Sequence, residues 1–367
     1  MTSKAPDARW MRVALAQADR AIGQTAENPP VGCVILSASG HLVGVGHTAA
    51  GGRPHAETQA LQMAGNAAKG GVAYVSLEPC AHHGQTPPCA QALITSGVKV
   101  VHIAISDPDT RVAGRGKTQL EDAGIYVTTG CCATEAAHQM AGFLRRVTAD
   151  MPFVTLKMAT SKDGFIAADA EAQTWLTGEV SRRYVHDLRS RHDVILTGMG
   201  TIRADNPRLD IRLPGWQGPQ PALALLSTKG ILPDNLACLA AERPIFFFHD
   251  EAITPDRLPQ HVTAVPTPLR NGQLSMRAVL SDLAIRGYGR VMVEAGAQIA
   301  DSALSARVVD ELHWLCAPHR LTHGVLAWQS QDSVDFSAPA DYIMQERYDL
   351  APDSLSIWRP NAPATKA

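Results

Sequence analysis

The chain has 367 residues, room for about two domains, and 45% of them are hydrophobic, enough to fill ordinary globular cores. A formal net charge of −2 argues against the basic field that draws a protein onto nucleic acid. No run reaches the roughly 18 to 20 unbroken apolar residues that cross a bilayer, and Met1–Pro6 has no apolar signal core. A cytoplasmic protein with neither membrane nor nucleic-acid partner is therefore expected, and seven scattered cysteines, an odd number, suit reduced thiols better than a disulfide framework.

The periodicity predicts a helix over Arg9–Arg20, followed by a loop rich in Gly, Asn and Pro. A hairpin of Val31–Leu36 and His41–Gly46 follows, joined by Ser37-Ala38-Ser39-Gly40. Pro54 precedes His55 and a helix over Ala56–Ala68. Strands Ala73–Leu77 and Lys99–Ser106 flank a helix over Cys89–Thr95, and Gly114–Ala123, Ile125–Thr128 and Thr134–Thr148 read as helix, strand and one longer helix. Strands alternating with helices indicate an α/β domain with its site at strand ends. Ala149-Asp150-Met151-Pro152 reads as a joint, dividing the chain into 1–150 and 151–367.

Beyond the joint, strands are expected at Phe153–Met158, Asp193–Thr197, Ala222–Leu226, Pro244–Phe248, Arg290–Val293 and Glu311–Cys316. Helices are expected at Gly178–Ser190, Leu274–Arg286 and Gln298–Ser305, which makes a second α/β unit. Pro207–Pro221, rich in Gly, Pro and Arg, reads as a surface loop, and Asn361–Ala367 as a frayed tail.

Chemistry concentrates in His55-Ala56-Glu57, Pro79-Cys80 and Cys89. One His and two Cys are three zinc ligands, and a site with only three protein ligands keeps a fourth position for water. Glu57 is then a proton shuttle, taking a proton from a metal-activated water and passing it to a departing amine. H-x-E followed by P-C and a second Cys is the signature of the zinc nucleobase deaminases. Two residues along a helix turn by about 200°, so His55 and Glu57 serve one site only if His55 stands at the helix entry. Eight residues separate Cys80 from Cys89, too many for one helical turn, so this loop bulges and its tip is placed to touch substrate. The competing reading is a closed Cys2His2 knot that recruits His82 or His83 and leaves Glu57 without a task. Cys131-Cys132 carries no expected chemistry.

Several segments together identify a family. They are Asn28-Pro29-Pro30-Val31-Gly32-Cys33-Val34, Pro54-His55-Ala56-Glu57, Leu77-Glu78-Pro79-Cys80-Ala81-His82-His83-Gly84, Thr86-Pro87-Pro88-Cys89, and Asp107-Pro108 with Val112-Ala113-Gly114. In the second half they are Leu156-Lys157, Asp163-Gly164, Trp175-Leu176-Thr177, Asp205-Asn206-Pro207-Arg208-Leu209 with Arg212, Val293-Glu294-Ala295-Gly296, and Val309-Asp310-Glu311-Leu312. The chain resembles the bifunctional diaminohydroxyphosphoribosylaminopyrimidine deaminase / 5-amino-6-(5-phosphoribosylamino)uracil reductases of riboflavin biosynthesis. The resemblance implies a cytidine-deaminase-like α/β/α domain over 1–150 and a dihydrofolate-reductase-like α/β domain over 151–367. It implies Zn2+ on His55, Cys80 and Cys89, deamination of a pyrimidine nucleotide with Glu57 as catalytic residue, and then NADPH reduction of the ribosyl chain to ribityl.

Carried over by position, Asn28, His82, Arg189, Leu209, Arg212 and Glu294 would hold substrate. Ala159, Trp175, Thr201, Asp205, Ser227 and Gly296 would line the NADPH site. A small-molecule substrate and a homo-oligomer, dimer or tetramer, are implied as well. A guanidinium suits phosphate because it binds bidentately, and amides at the turn Glu294-Ala295-Gly296 before a helix are placed to receive one. The second half departs from the family pattern at Ser161-Lys162-Asp163-Gly164, Gln173, Leu226, Ala295 and Ala317-Pro318-His319, and no residue there reads as an acid or base. The alternative is a monofunctional deaminase whose C-terminal domain is degenerate and does not reduce.

Overall fold

The computed structural model describes residues 5–81, 87–109, 113–169, 175–255, 257–328 and 337–361. The chain forms two compact units, Met1–Asp150 and Met151–Ala367. No helix among the described residues is long and apolar enough to cross a membrane.

In the first unit, α1 (Ala8–Asp19) is capped by the Asp7 carboxylate, which accepts from Arg9 N at 2.9 Å. The helix buries Met11, Ala14, Leu15 and Ala18, one stripe at helical spacing. β1 (Gly32–Leu36) is buried throughout and pairs antiparallel with β2 (Leu42–His47). α1 packs so closely on β1 that a Cβ at Gly32 would lie 1.8 Å from the carbonyl oxygen of Ala14. Next come α2 (Ala56–Ala64), β3 (Val72–Leu77), α3 (Cys89–Ser96) and β4 (Val100–Ile105). α4 (Arg115–Asp122), β5 (Tyr126–Thr129), α5 (Ala133–Gln139) and α6 (Ala141–Ala149) complete the unit. The sheet order is β2-β1-β3-β4-β5, with β3, β4 and β5 parallel. α1 and α5 pack on one face, and α2, α3 and α4 are neighbours on the other, which gives three layers. The single helix expected over Thr134–Thr148 is broken at Met140, whose backbone leaves helical geometry (φ −93°, ψ 12°) while its side chain is completely buried. Apolar spacing continues through the break, so periodicity alone did not reveal it.

The second unit is built on a nine-stranded sheet with two small two-stranded sheets beside it. β6 (Phe153–Thr160), β7 (Phe165–Ala167), α7 (Glu179–Ser190), β8 (Val194–Gly198), α8 (Met199–Asp205) and β9 (Ala222–Ser227) come first. β10 (Ile245–Asp250), β11 (Val262–Thr267), β12 (Leu269–Arg270), β13 (Gln273–Leu274), α9 (Met276–Ile285) and β14 (Arg290–Val293) follow. α10 (Ala297–Ser305), β15 (Glu311–Cys316), β16 (Val325–Leu326), β17 (Tyr342–Leu350) and β18 (Asp353–Pro360) close the unit. The main sheet runs β11-β10-β9-β8-β14-β6-β15-β18-β17. It is parallel from β11 to β15, and β18 and β17 are antiparallel additions at one edge.

Buried strands of a parallel sheet send alternate residues to opposite faces. Ala222, Ala224 and Leu226 therefore join the α9 and α10 core, whereas Leu223 and Leu225 join Met199 and Ile202 of α8. Three strands of the main sheet went unread in the sequence, as did the short strands β7, β12, β13 and β16. β11 is an edge strand carrying Pro266, and β17 is an exposed edge with the run Gln345-Glu346-Arg347. β18 buries only alternate positions at its start. The supposed surface loop Pro207–Pro221 is partly core: Leu209, Asp210 and Ile211 are 1%, 5% and 6% exposed.

Candidate active site

His55 is the N-cap of α2, with an extended backbone (φ −69°, ψ 160°), and Glu57 lies in the first helical turn. The helix-entry placement lets two residues on either side of Ala56 serve one site. Cys80 follows the end of β3, and Cys89 opens α3. His55 Nδ1 lies 3.3 Å from Cys89 Sγ and 3.7 Å from Cys80 Sγ, and the ligand atoms of all three residues fall within 4.8 Å of one another. The Cys89 backbone N–H donates to Cys80 Sγ at 3.3 Å. Hydrogen bonding from Cys89, opposed by burial, holds the Cys80 thiol down at about 4, while the same bond pushes Cys89 up. One proton is thus shared by a thiolate and a thiol that a dication can replace, and two sulfurs with an imidazole nitrogen form a donor set suited to zinc.

Glu57 is 4% exposed. Burial, and then the charge of the Cys80 sulfur, push its carboxyl up to about 7. Glu78, at the end of β3 and likewise buried, fixes the chain beside Cys80. Its carboxylate accepts from the backbone N–H groups of Asp107 (3.3 Å), Gly114 (3.2 Å) and Lys117 (3.1 Å), capping α4 from outside the helix. Gly116 of α4 meets Pro79, where a Cβ would lie 2.0 Å from the carbonyl oxygen.

In the second unit a cavity of about 1350 Å³ opens along the ends of β6, β8, β9 and β14. Its lining includes Ala159, Trp175, Thr201, Asp205, Ser227, Gly296, Arg189, Leu209, Arg212 and Glu294. Among the described residues, seven cationic side chains line it against three carboxylates, a balance that favours an anion. Arg189 grips Glu294 bidentately, Nε to Oε2 at 3.0 Å and Nη2 to Oε1 at 2.9 Å, and Lys157 Nζ stands 3.6 Å from Oε1. Burial would raise Glu294, but Arg189 and then Lys157 outweigh it and hold the carboxyl at about 2.

Residues 4–105 match the model of the cytidine and deoxycytidylate deaminase zinc-binding region, and residues 152–331 match that of the RibD C-terminal domain. The riboflavin biosynthesis protein RibD of Bacillus amyloliquefaciens is 39% identical over 312 residues, 84% of either chain. That of Escherichia coli (strain K12) is 36% identical over 326 residues, 86% of this chain and 88% of its own. The chain belongs to the RibD family of riboflavin biosynthesis proteins. Among solved structures, Acinetobacter baumannii RibD is 33% identical with a TM-score of 0.84, covering 96% of this chain and 98% of that one. A diaminohydroxyphosphoribosylaminopyrimidine deaminase/5-amino-6-(5-phosphoribosylamino)uracil reductase from Thermotoga maritima is 30% identical with a TM-score of 0.85 and the same coverage.

Membership in the RibD family agrees with the two α/β folds, a deaminase-like zinc unit and a reductase-like unit. All ten residues expected to serve the second site lie on the one cavity, with two refinements. Arg189 already commits three of its five N–H groups, two to Glu294 and one to Asp210 O at 2.8 Å, so its Nε edge is not open to a phosphate. Of the amides expected to receive a phosphate, that of Gly296 donates instead to Thr201 Oγ1 at 3.1 Å. Asn28 is half-buried in the loop after α1, packed against Gly52 on the segment that leads to His55. His82, His83 and Gln173 lie outside the described residues. Sequence reasoning missed Lys157, a lysine on a buried strand that gains a chemical role only because the fold places it on the cavity beside Glu294.

Proposed function

We propose that the chain carries out two consecutive reactions of riboflavin biosynthesis at separate sites, deamination in 1–150 and reduction in 151–367. The observation that supports this most directly is the convergence of His55, Cys80 and Cys89 beside a buried Glu57. His55, Cys80 and Cys89 hold the metal, which when bound supplies a water with a pKa near 7. Glu57 would take a proton from a water at the site and pass it to the 2-amino group of 2,5-diamino-6-(5-phosphoribosylamino)pyrimidin-4-one, which leaves as ammonia, while the water's other proton goes to a ring nitrogen and its oxygen stays as the carbonyl at C2. A carboxyl that protonates near neutrality suits both halves of this transfer. Asn28 and His82 hold the substrate.

In the second unit, Ala159, Trp175, Thr201, Asp205, Ser227 and Gly296 bind NADPH, and Arg189, Leu209, Arg212 and Glu294 hold the deaminated product. NADPH, when bound, would supply a hydride; the C1′=N bond of the ring-opened ribosylamine would take that hydride at carbon and a proton at nitrogen. Lys157, 16% exposed and held by Glu294, is the proton donor of the cavity floor. Glu294 stays ionised and orients Lys157 and Arg189. The proposed assembly is a homo-oligomer, dimer or tetramer, which light scattering measures.

Removal of zinc by a chelator tests the two-site reading. Ammonia release should stop and return on addition of zinc, while NADPH oxidation with ready-made deaminated intermediate continues. Loss of both activities together would refute separate sites.

A further inference from the structure

The corner of the second cavity formed by residues 208–212 is unusually fixed for a loop. Leu209 is 1% exposed and has φ +51°, the left-handed region that a branched residue enters only where its surroundings hold it. Six backbone groups here are held by side chains, one of them Arg212 N, which donates to His186 Nδ1 at 3.3 Å. Buried Arg243 donates to Arg208 O (2.8 Å) and Leu209 O (2.5 Å), Arg189 donates to Asp210 O (2.8 Å), and Gln220 bonds Ile211 N (2.7 Å) and Ile211 O (3.2 Å).

On this frame stands Asp210, its side chain 7% exposed. Oδ2 accepts from Arg208 Nε at 2.9 Å, with Arg208 Nη2 in ion-pair contact at 2.9 Å, and Oδ1 accepts from Arg212 Nη1. Two guanidinium groups on one carboxylate leave an excess positive charge. Each keeps N–H groups unused by Asp210, and both residues line the cavity with side chains 63% and 49% exposed. A planar, permanently charged fork is the group of choice for phosphate oxygens.

We infer that Arg208 joins Arg212 in binding the phosphate of the substrate to be reduced, and that Asp210, buried behind them, is the positioning residue that holds both as one clamp. The inference rests on the proposed reading of this cavity as the reductase site. Arg212 is there the substrate residue, and Asp210 ties Arg208 to it at hydrogen-bonding distance. A surface ion pair alone would also bring these charges together, but it would be indifferent to whether the substrate carries a phosphate.

The test uses the full-length, zinc-loaded chain with saturating NADPH, and compares 5-amino-6-(5-phosphoribosylamino)uracil with its dephosphorylated counterpart. Arg208→Ala should raise KM for the phosphorylated compound about 10- to 100-fold, the loss of charge-assisted bonds to phosphate. The kcat, KM for NADPH and ammonia release should stay near wild type, and kcat/KM for the dephosphorylated compound should not change. Asp210→Asn should raise the same KM, and Arg208→Ala/Asp210→Asn should raise it further than Arg208→Ala alone, because Arg212 then loses its hold on Asp210 as well. An unchanged KM in Arg208→Ala, or equal losses with both compounds, overturns the clamp; an unchanged or lowered KM in Asp210→Asn overturns the positioning role. If the wild-type chain oxidises no NADPH, the reading of the cavity fails separately. The clamp is then judged by calorimetry with ribose 5-phosphate, where binding equal in wild type and Arg208→Ala overturns it.

Discussion

Glu294→Gln isolates the charge that organises the second cavity. The wild-type carboxyl is held at about 2 against an ordinary 4.5, and the side chains of Glu294, Arg189 and Lys157 are 15%, 8% and 16% exposed, so solvent screens them little. At about 1.4 kcal/mol per pKa unit, the ionised form is favoured in the fold by about 3 kcal/mol. Glutamine keeps the shape, but it turns an amide toward cationic donors and leaves Arg189 buried without a counter-charge.

Because the folded pKa is depressed, this stability is present above the unfolded value near 4.5 and is lost as pH falls toward 2. Urea unfolding followed by tryptophan fluorescence is the assay, since Trp10 alone of the six tryptophans lies in the first unit. Glu294→Gln should lose about 3 kcal/mol at pH 7, and the gap should narrow to roughly half of that by pH 3. A loss below about 1 kcal/mol at pH 7, or a gap that does not change with pH, would refute the reasoning.

Other outcomes follow from the same geometry. Glu57→Gln should retain zinc by metal analysis yet release ammonia about 10² to 10⁴ times more slowly, whereas Cys80→Ala should lose the metal itself. Lys157→Met should abolish NADPH oxidation and leave ammonia release intact. Gly116→Ala would set a methyl 2.0 Å from the Pro79 carbonyl oxygen, displace the chain leading to Cys80, and weaken zinc retention in a chelator competition.

The zinc site was legible because its chemistry needs particular side chains: His55, Glu57, Cys80 and Cys89 have few substitutes, and the helix entry at His55 could be deduced from helical geometry. Their convergence from the start of α2, the end of β3 and the start of α3 is what the fold adds. The second site was legible only through family resemblance. Its residues arrive from separated strands and turns, and what decides their roles is pairing. Arg189 looked like a phosphate ligand until its fork was found on Glu294, and Asp210 drew no notice in a segment expected to be a surface loop, which proved partly buried. β17 was missed for a related reason: an exposed edge strand has no apolar face to betray it.

The central claim, two reactions on one chain, is tested most directly by following ammonia release and NADPH oxidation in the same sample, started with 2,5-diamino-6-(5-phosphoribosylamino)pyrimidin-4-one. Ammonia should appear first, and NADPH should then be oxidised to the same molar extent. Ammonia without any oxidation would contradict the claim and leave a deaminase joined to a second unit that does not reduce.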